Sequence, residues 1–142
     1  MKKAAKQIAV FSGCVIKDGC VLMVLRNEKE CPKAHLKWEF PGGKVNFGET
    51  PEKSVAREIL EETGVVIKIK KLLPFVQTSY WEYEWGVQQT LCLVYLCNFV
   101  RQRKILKDHH VEKIDWIRID EVLKLPTLPG TKEVLNLAIK FN

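Results

Sequence analysis

The alternation of apolar and polar positions in the first forty residues predicts a hairpin, a loop and a short strand. Apolar runs at 7–17 and 20–26 flank Asp18-Gly19, a dipeptide that favours a two-residue hairpin turn. Residues 27–36 are polar and contain a proline, so they predict a loop. Residues 37–40 then form a short predicted strand that leads into a glycine-rich loop.

One amphipathic helix is predicted between Thr50 and Gly64. Thr50 suits the N-cap, Pro51 suits the first helical position, and Gly64 suits a left-handed C-cap. At about 100° per residue, Val55 and Ile59 fall on one apolar face of this helix. That face is expected to pack against a sheet.

The second half of the chain has the pattern of several strands and two further helices. Strands are predicted at 65–71, 75–83, 87–100 and 114–119, with a loop at 101–112. Pro74 is expected to interrupt the ladder, because proline has no N–H to donate. Asp120 is predicted to cap a short helix through Leu125, and Thr131 a last helix to about Lys140. This order of elements predicts an α+β fold, a mixed β-sheet with helices against it.

Length and composition indicate one globular domain. The 142 residues suffice for a single domain with a core, expected to span 1–142, and 46% of them are hydrophobic and 28% charged. No apolar run approaches the roughly 18 residues of a membrane span, and polar residues interrupt any export signal after the basic start. We therefore expect a cytoplasmic protein with no membrane partner.

Cysteine usage narrows the kinds of site that the chain can form, and net charge narrows its kinds of partner. The cysteines are odd in number and form no C-x-x-C pair, which favours buried free thiols over disulfides or a zinc site. They are Cys14, Cys20, Cys31, Cys92 and Cys97. The net charge of +6 suits an anionic partner, but no nucleic-acid motif accompanies it, so no stable nucleic-acid partner is expected.

A charged face lies beside the apolar face of the predicted helix. It carries one arginine and three glutamates, namely Arg57, Glu58, Glu61 and Glu62. A solvated acidic surface is one explanation for it. The other is a divalent-ion site, because Gly42-Gly43 can bring backbone carbonyl oxygens close to the carboxylates, and Mg²⁺ prefers such ligands.

The spacing of these residues matches a family motif. It runs Gly43, five residues, Glu49, seven residues, Arg57-Glu58-Ile59, one residue, Glu61-Glu62, one residue, Gly64-Val65. This pattern over 43–65 resembles a complete Nudix box, and the preceding Trp38–Gly43 segment is similar to the MutT-like branch of the Nudix hydrolases. The resemblance implies an α/β/α sandwich and hydrolysis of a pyrophosphate bond with a divalent metal, usually Mg²⁺, with Mn²⁺ as an alternative.

The resemblance also implies roles for individual residues. The expected metal ligands are the carbonyl of Gly42 and the carboxylates of Glu58, Glu61 and Glu62. The same three glutamates and Arg57 form the expected catalytic set, in which Arg57 orients a neighbouring carboxylate. Glu49 is expected to be a further ligand or a salt-bridge partner.

The sequence offers two candidates for the general base and does not choose between them. MutT-like relatives often carry a glutamate a few residues before a tryptophan. Trp116 resembles that tryptophan, and by this spacing His110 occupies the position of the glutamate. Glu112 is the reserve candidate for the base or a further ligand.

An aromatic run contains Tyr80, Trp81, Tyr83 and Trp85, and the candidate substrate contacts from it are Tyr80, Tyr83 and Trp85. These side chains either stack on a nucleobase or pack in a core or dimer interface. The leading hypothesis is a Mg²⁺-dependent pyrophosphohydrolase of a nucleoside triphosphate or related nucleotide, as a monomer or homodimer. One alternative is a dinucleoside polyphosphate hydrolase, because Tyr83 lies close to the sequence position at which a tyrosine marks those enzymes. The other is a non-catalytic nucleotide- or RNA-binding module.

Overall fold

The computed structural model describes residues 4–105 and 111–142, which form a seven-stranded sheet and three helices. The strands are β1 (Ala4–Lys17), β2 (Cys20–Arg26), β3 (Trp38–Glu39), β4 (Gly42–Lys44), β5 (Val65–Tyr83), β6 (Gly86–Gln102) and β7 (Val111–Arg118). The helices are α1 (Pro51–Thr63), α2 (Ile119–Val122) and α3 (Thr131–Phe141). None of the helices in these ranges has the length and apolar character needed to cross a membrane.

The sheet is mixed, as predicted. Its main path runs β3-β2-β1-β6-β5, with β4 paired to β1 and β7 paired to β2. Strands β1 and β6 are parallel along their length, from Ala4 opposite Gly86 to Ile16 opposite Asn98, while the other pairs are antiparallel. The long strand β1 therefore has β6 on one edge and β4 and β2 on the other.

Helices cover both faces of this sheet, which confirms the predicted α+β sandwich. On one face, Val55 and Ile59 of α1 pack with sheet residues such as Val15 and Tyr95. On the other face, Val134, Leu135 and Ala138 of α3 pack with sheet residues such as Cys14 and Leu96. Neighbouring strand residues thus enter opposite cores, as the two-residue period of a strand requires.

The interruption expected at Pro74 does not end a strand. Residues 65–71 and 75–83, predicted as two strands, belong to the single strand β5. The register of β5 against β6 shifts between Leu72 and Val76, so Pro74 lies in an irregular part of the ladder. At an irregular position the neighbouring strand does not require a hydrogen bond from residue 74, so proline is tolerated there and the strand continues beyond it.

Both predicted caps of the later helices were wrong. The N-cap of α3 is Gly130, with φ 89°, while Thr131 is the first helical residue and donates its hydroxyl to the Leu128 carbonyl at 2.7 Å. Asp120 lies inside α2 and accepts from Arg118 Nε at 3.2 Å. Side-chain type alone suggested these caps, but the backbone of the preceding turn decided them.

The predicted loop at 101–112 is too long on both sides, because β6 continues to Gln102 and β7 begins at Val111.

The cysteine prediction is confirmed in part: all five thiols lie in the described residues and are free. Cys14, Cys31 and Cys97 are buried, whereas Cys20 and Cys92 are half-buried.

Ile59→Val should lower the free energy of unfolding by about 1 kcal/mol. Ile59 is fully buried in the core beneath α1, so the substitution leaves a methyl-sized void. Urea denaturation of Ile139→Val, the same change at a half-exposed position of α3, is the control. Equal effects at the two positions would contradict this packing argument.

Candidate active site

Helix α1 is positioned by the caps that its sequence predicts. Thr50 Oγ1 accepts a hydrogen bond from Lys53 N at 3.3 Å, and Pro51 is the first helical residue. Gly64 adopts φ 75° and donates its N–H to the Leu60 carbonyl at 2.9 Å. These caps and the buried apolar face fix the rotation of the helix, and with it the direction of its carboxylates.

The diglycine segment is a short strand that lies against these carboxylates. Gly42 and Gly43 pair with Ser12 and Phe11 of β1. A Cβ added to Gly42 would lie 2.3 Å from the Phe11 carbonyl oxygen, and one added to Gly43 would lie 2.8 Å from Glu58 Cδ. Glycine is therefore needed at both positions for the close approach of backbone to backbone and of backbone to carboxylate.

Two of the predicted glutamates reach this segment. Glu62 is 7% exposed, and its Oε1 accepts from the N–H of Gly42 at 3.3 Å. The carboxylate of Glu58 packs against Gly43. Their side chains point toward the diglycine strand, and the explanation of a solvated acidic surface does not hold for them.

Arg57 holds three glutamates at once. Its Nε and Nη2 donate to the two oxygens of Glu49 at 2.7 and 3.0 Å. Its Nη1 donates to Glu58 Oε1 at 3.1 Å and to Glu61 Oε2 at 3.2 Å. This geometry fits the expected role of Arg57 in orienting Glu58, and it makes Glu49 the salt-bridge partner that was one of its two predicted roles.

The Glu49–Arg57 pair should make stability depend on acid pH. The Arg57 guanidinium, with the N–H of Asn46, lowers the pKa of Glu49 from 4.5 to about 2. A lowered folded-state pKa stabilises the protein above pH 4.5, and that contribution is lost as pH falls from 4.5 toward 2. Urea denaturation should therefore show Glu49→Gln less stable than the parent at pH 6 and closer to it at pH 3. A difference unchanged between these pH values would contradict the pairing.

A cavity of about 410 Å³ opens beside the two glutamates. Its walls include Gly42, Gly43, Glu58 and Glu62, together with strand residues such as Tyr83 and the start of α3. The structure thus brings Gly42, Glu58, Glu62 and Tyr83 of the predicted site residues to one cavity. A reacting group bound there would meet carboxylate oxygens on one side.

Other predicted site residues do not line this cavity. Glu61 is half-exposed, Glu112 is exposed, and Trp85 stacks on Tyr83 with ring centroids 5.3 Å apart. Tyr80 is 65% exposed and does not line the cavity, because alternate residues of β5 face away from it, so its substrate contact stays a prediction. His110 lies outside the described residues.

The cavity also contains a polar network that the sequence did not predict. Arg26 donates from Nη1 to both oxygens of Glu39, at 2.9 and 3.0 Å, and from Nε to Glu28 at 3.0 Å. The Tyr83 hydroxyl lies 3.2 Å from each oxygen of Glu28. Trp81, a member of the predicted aromatic run, lines the same cavity as Tyr83, as the two-residue period of one strand requires.

Comparison with known proteins decides the family. The family model described as NUDIX domain matches residues 7–138. The chain belongs to the NUDIX domain family. The predicted family is therefore confirmed, and relatives named as MutT-like protein and 8-oxo-dGTP diphosphatase support the MutT-like branch.

Individual relatives of this NUDIX chain differ in name. It is 37% identical over 60 residues to an 8-oxo-dGTP diphosphatase of Escherichia coli, covering 42% of the chain and 46% of the relative. It is 43% identical over 49 residues to an RNA pyrophosphohydrolase of Blochmanniella pennsylvanica, covering 34% and 30%. The MutT NUDIX hydrolase structure from Burkholderia pseudomallei is 26% identical, with a TM-score of 0.76 and coverage of 93% and 98%. The chain spans less than half the length of the first curated relatives it matches.

The NUDIX cavity can be tested for its fit to a divalent cation. Among the described residues, no three carboxylate, imidazole or thiol groups converge as a complete metal site. Mg²⁺, however, is commonly held by one or two carboxylates with water and substrate phosphates. Glu58 and Glu62 supply that number, and the glycine strand leaves room that a Cβ would fill. The donor set therefore fits a cation that binds together with a phosphorylated ligand.

Proposed function

We propose that this NUDIX protein is a hydrolase that splits a pyrophosphate bond in a nucleoside triphosphate or related nucleotide. The proposal includes a divalent cation, Mg²⁺ or alternatively Mn²⁺, and a cytoplasmic location. The observation that carries it is the placement of Glu58 and Glu62 beside Gly42 and Gly43 in the wall of a cavity. The hydrolase names of the relatives support the reaction class.

Each residue of the site would contribute to hydrolysis according to where it lies in the cavity. Glu58 and Glu62 would hold the cation, and a bound cation would neutralise phosphate oxygens and lower the pKa of a water molecule. Arg57 holds Glu58, and the Gly42 N–H holds Glu62, so neither carboxylate has to reorganise when substrate binds. Lys44 also lines the cavity and would offer a positive charge to the phosphates.

Two predicted residues take lesser roles in this proposal. Glu61 reaches the site through Arg57, and we propose that it acts as a further ligand only if its half-exposed side chain turns. Glu49 fixes Arg57 from the other side. The chemistry thus rests on positioning and charge, as phosphoryl transfer generally does.

The activities named for the relatives support a class of substrate and not a single compound. An 8-oxo-dGTP diphosphatase and an RNA pyrophosphohydrolase share a phosphoanhydride next to a nucleoside, and their other groups differ. We therefore propose a nucleotide with a pyrophosphate bond. A dinucleoside polyphosphate hydrolase and a binding module without turnover are the outcomes against which the experiment is designed.

The experiment is a hydrolysis panel of nucleoside triphosphates, dinucleoside polyphosphates and nucleotide sugars. Phosphate and pyrophosphate are followed with Mg²⁺, with Mn²⁺ and with EDTA. We expect metal-dependent turnover that is fastest on mononucleotides, and abolished by EDTA. Faster turnover of dinucleotides would favour the dinucleoside alternative. Metal-independent binding without product from any compound would contradict an enzymatic function.

A further inference from the structure

The outer edge of strand β5 is open. Among residues 4–105 and 111–142, β5 pairs with β6 alone, so its other edge has no strand partner there. The register against β6 is irregular before Val76 and regular from Val76 to Tyr83. A regular strand with an open edge presents a row of backbone N–H and C=O groups to which another strand can bind.

The first half of this edge is protected against pairing, and the second half is not. Lys68, Lys70 and Pro74 accompany the irregular part, and charge, proline and bulges are the usual protection of a strand edge. From Val76 to Trp81, in contrast, the strand has no charged residue, no proline and no shift of register. This second half is therefore the part of β5 that is suited to pairing.

The side chains on one face of this stretch are exposed and held in place. Val76 is 52% exposed, Tyr80 is 65% exposed, and Thr78 between them is exposed as well. Gln89 Nε2 donates to the Tyr80 hydroxyl at 3.1 Å, and Gln7 Nε2 donates to Gln89 Oε1 at 2.7 Å. Because these hydrogen bonds already restrain the Tyr80 side chain, less conformational entropy is lost when a partner covers it.

We propose that β5 pairs edge to edge with β5 of a second copy of this chain, in antiparallel orientation and with Thr78 at the two-fold axis. In a two-fold dimer the same surface of both copies forms the interface. Thr78 then lies opposite Thr78 of the partner subunit, and Val76 lies opposite the partner subunit's Tyr80. Threonine–threonine pairs and aromatic–β-branched pairs are favourable across neighbouring strands.

Charge also favours a second copy as the occupant of this edge. A charged residue at a two-fold axis would meet its own copy, and the stretch from Val76 to Trp81 contains none although the net charge is +6. The chain is basic before this stretch and acidic after it. The basic residues are Lys68, Lys70 and Lys71, and the acidic ones are Glu82 and Glu84. Antiparallel pairing brings the basic end of each copy near the acidic end of the other, whereas parallel pairing would bring like charges together.

The pairing surface is small, so the dimer is expected to be weak and to depend on concentration. A few residues from each copy bury less area than a standard protein interface does. Dimerisation through β5 is independent of the proposed hydrolysis. An inactive dimer would remove the proposed function alone, and an active monomer would remove the dimer alone.

The test places opposite charges at Thr78. Sedimentation equilibrium gives the dissociation constants of the parent, Thr78→Lys, Thr78→Glu and an equimolar mixture of the two variants. The matched control is the same set of substitutions at Asn136, an exposed position of α3. Strand edges tolerate charged side chains, and thermal unfolding followed by circular dichroism checks that each variant is folded.

We expect the mass of the parent to rise from 16.4 kDa toward twice that value over a micromolar concentration series. Each Thr78 variant alone should dimerise at least about tenfold more weakly, because like charges meet at the axis. The mixture should regain the affinity of the parent, because lysine then meets glutamate, and added salt should weaken it. The Asn136 variants and their mixture should behave as the parent does.

A parent that stays monomeric, Thr78 variants that dimerise as the parent does, or a mixture no stronger than its components would overturn the inference. The Thr78 pattern repeated at Asn136 would also overturn it, because the effect would then not depend on β5. If the Thr78 variants do not fold, Tyr80→Ser decides. Loss of the Tyr80–Val76 pair, which occurs twice in the symmetric dimer, should weaken association about fivefold, and an unchanged dissociation constant would overturn the inference.

Discussion

Glu62→Gln is expected to lower kcat/KM by about 10²–10³-fold. Glu62 is 7% exposed, lines the cavity and is held by the N–H of Gly42, so it offers a negative charge in a fixed place. Loss of a metal-bound charge removes several kcal/mol of transition-state stabilisation, and each 1.36 kcal/mol is tenfold in rate. The measurement is steady-state hydrolysis at saturating and at limiting Mg²⁺.

The same substitution should leave the fold intact. Glutamine has the size of glutamate, and its amide oxygen can still accept from Gly42 N–H, so we expect a melting temperature within a few degrees of the parent. The matched control is Glu133→Gln, an exposed carboxylate in the first turn of α3, which should keep full activity. Full activity in a folded Glu62→Gln variant would remove Glu62 from the mechanism.

For Glu61, the Nudix box and the observed geometry lead to different expectations. Its position in the Nudix box implies a metal ligand, but its side chain is half-exposed and contacts Arg57. From this geometry, Glu61→Gln should cost less activity than Glu62→Gln. Equal losses would show that Glu61 turns into the cavity when metal and substrate bind.

The sequence predicts what is decided locally. The limits of α1 follow from Thr50, Pro51 and Gly64, which act within one turn of the helix they delimit. The direction of Glu58 and Glu62 follows from the helical period and from the apolar face that the core must bury. Both features were accessible without knowledge of the rest of the chain.

Contacts between distant segments were not accessible in this way. Glu28 and Tyr83 are 55 residues apart, and nothing in either segment indicates the other. The alternation along β5 could separate Tyr80 from Tyr83, but it could not say which of them faces the cavity. That choice depends on which face of the sheet lies against α3, because the cavity opens on that side, and this is a property of the whole fold.

The diglycine segment combines both kinds of information. Its spacing before α1 indicated a close approach to the carboxylates, yet the sequence suggested a loop. In the structure, residues 42–44 pair with β1 as strand β4, which fixes Gly43 more firmly than a loop would. A rigid strand at this place makes the result of adding a single methyl group predictable.

Gly43→Ala should lower kcat by about 10²-fold and destabilise the fold only modestly. The new Cβ would lie 2.8 Å from Glu58 Cδ and 2.9 Å from its Oε1, so the carboxylate must move. A misplacement near 1 Å in a catalytic group can cost about 10²-fold in rate. The nearest atoms belong to the end of a flexible side chain, so the fold itself can accommodate the methyl group. At Gly42, in contrast, the nearest atom is a backbone oxygen at 2.3 Å, and Gly42→Ala should be far less stable.

A double-mutant cycle shows whether the methyl group acts through Glu58. Thermal unfolding is compared for Gly43→Ala, Glu58→Ala and the double variant, because activity is too low in the second for a reliable cycle. If the added Cβ clashes only with the Glu58 carboxylate, Gly43→Ala costs stability in the parent and none in the Glu58→Ala background. A cost that persists in that background would place the clash in the backbone of β4, and the activity loss could no longer be assigned to a displaced carboxylate.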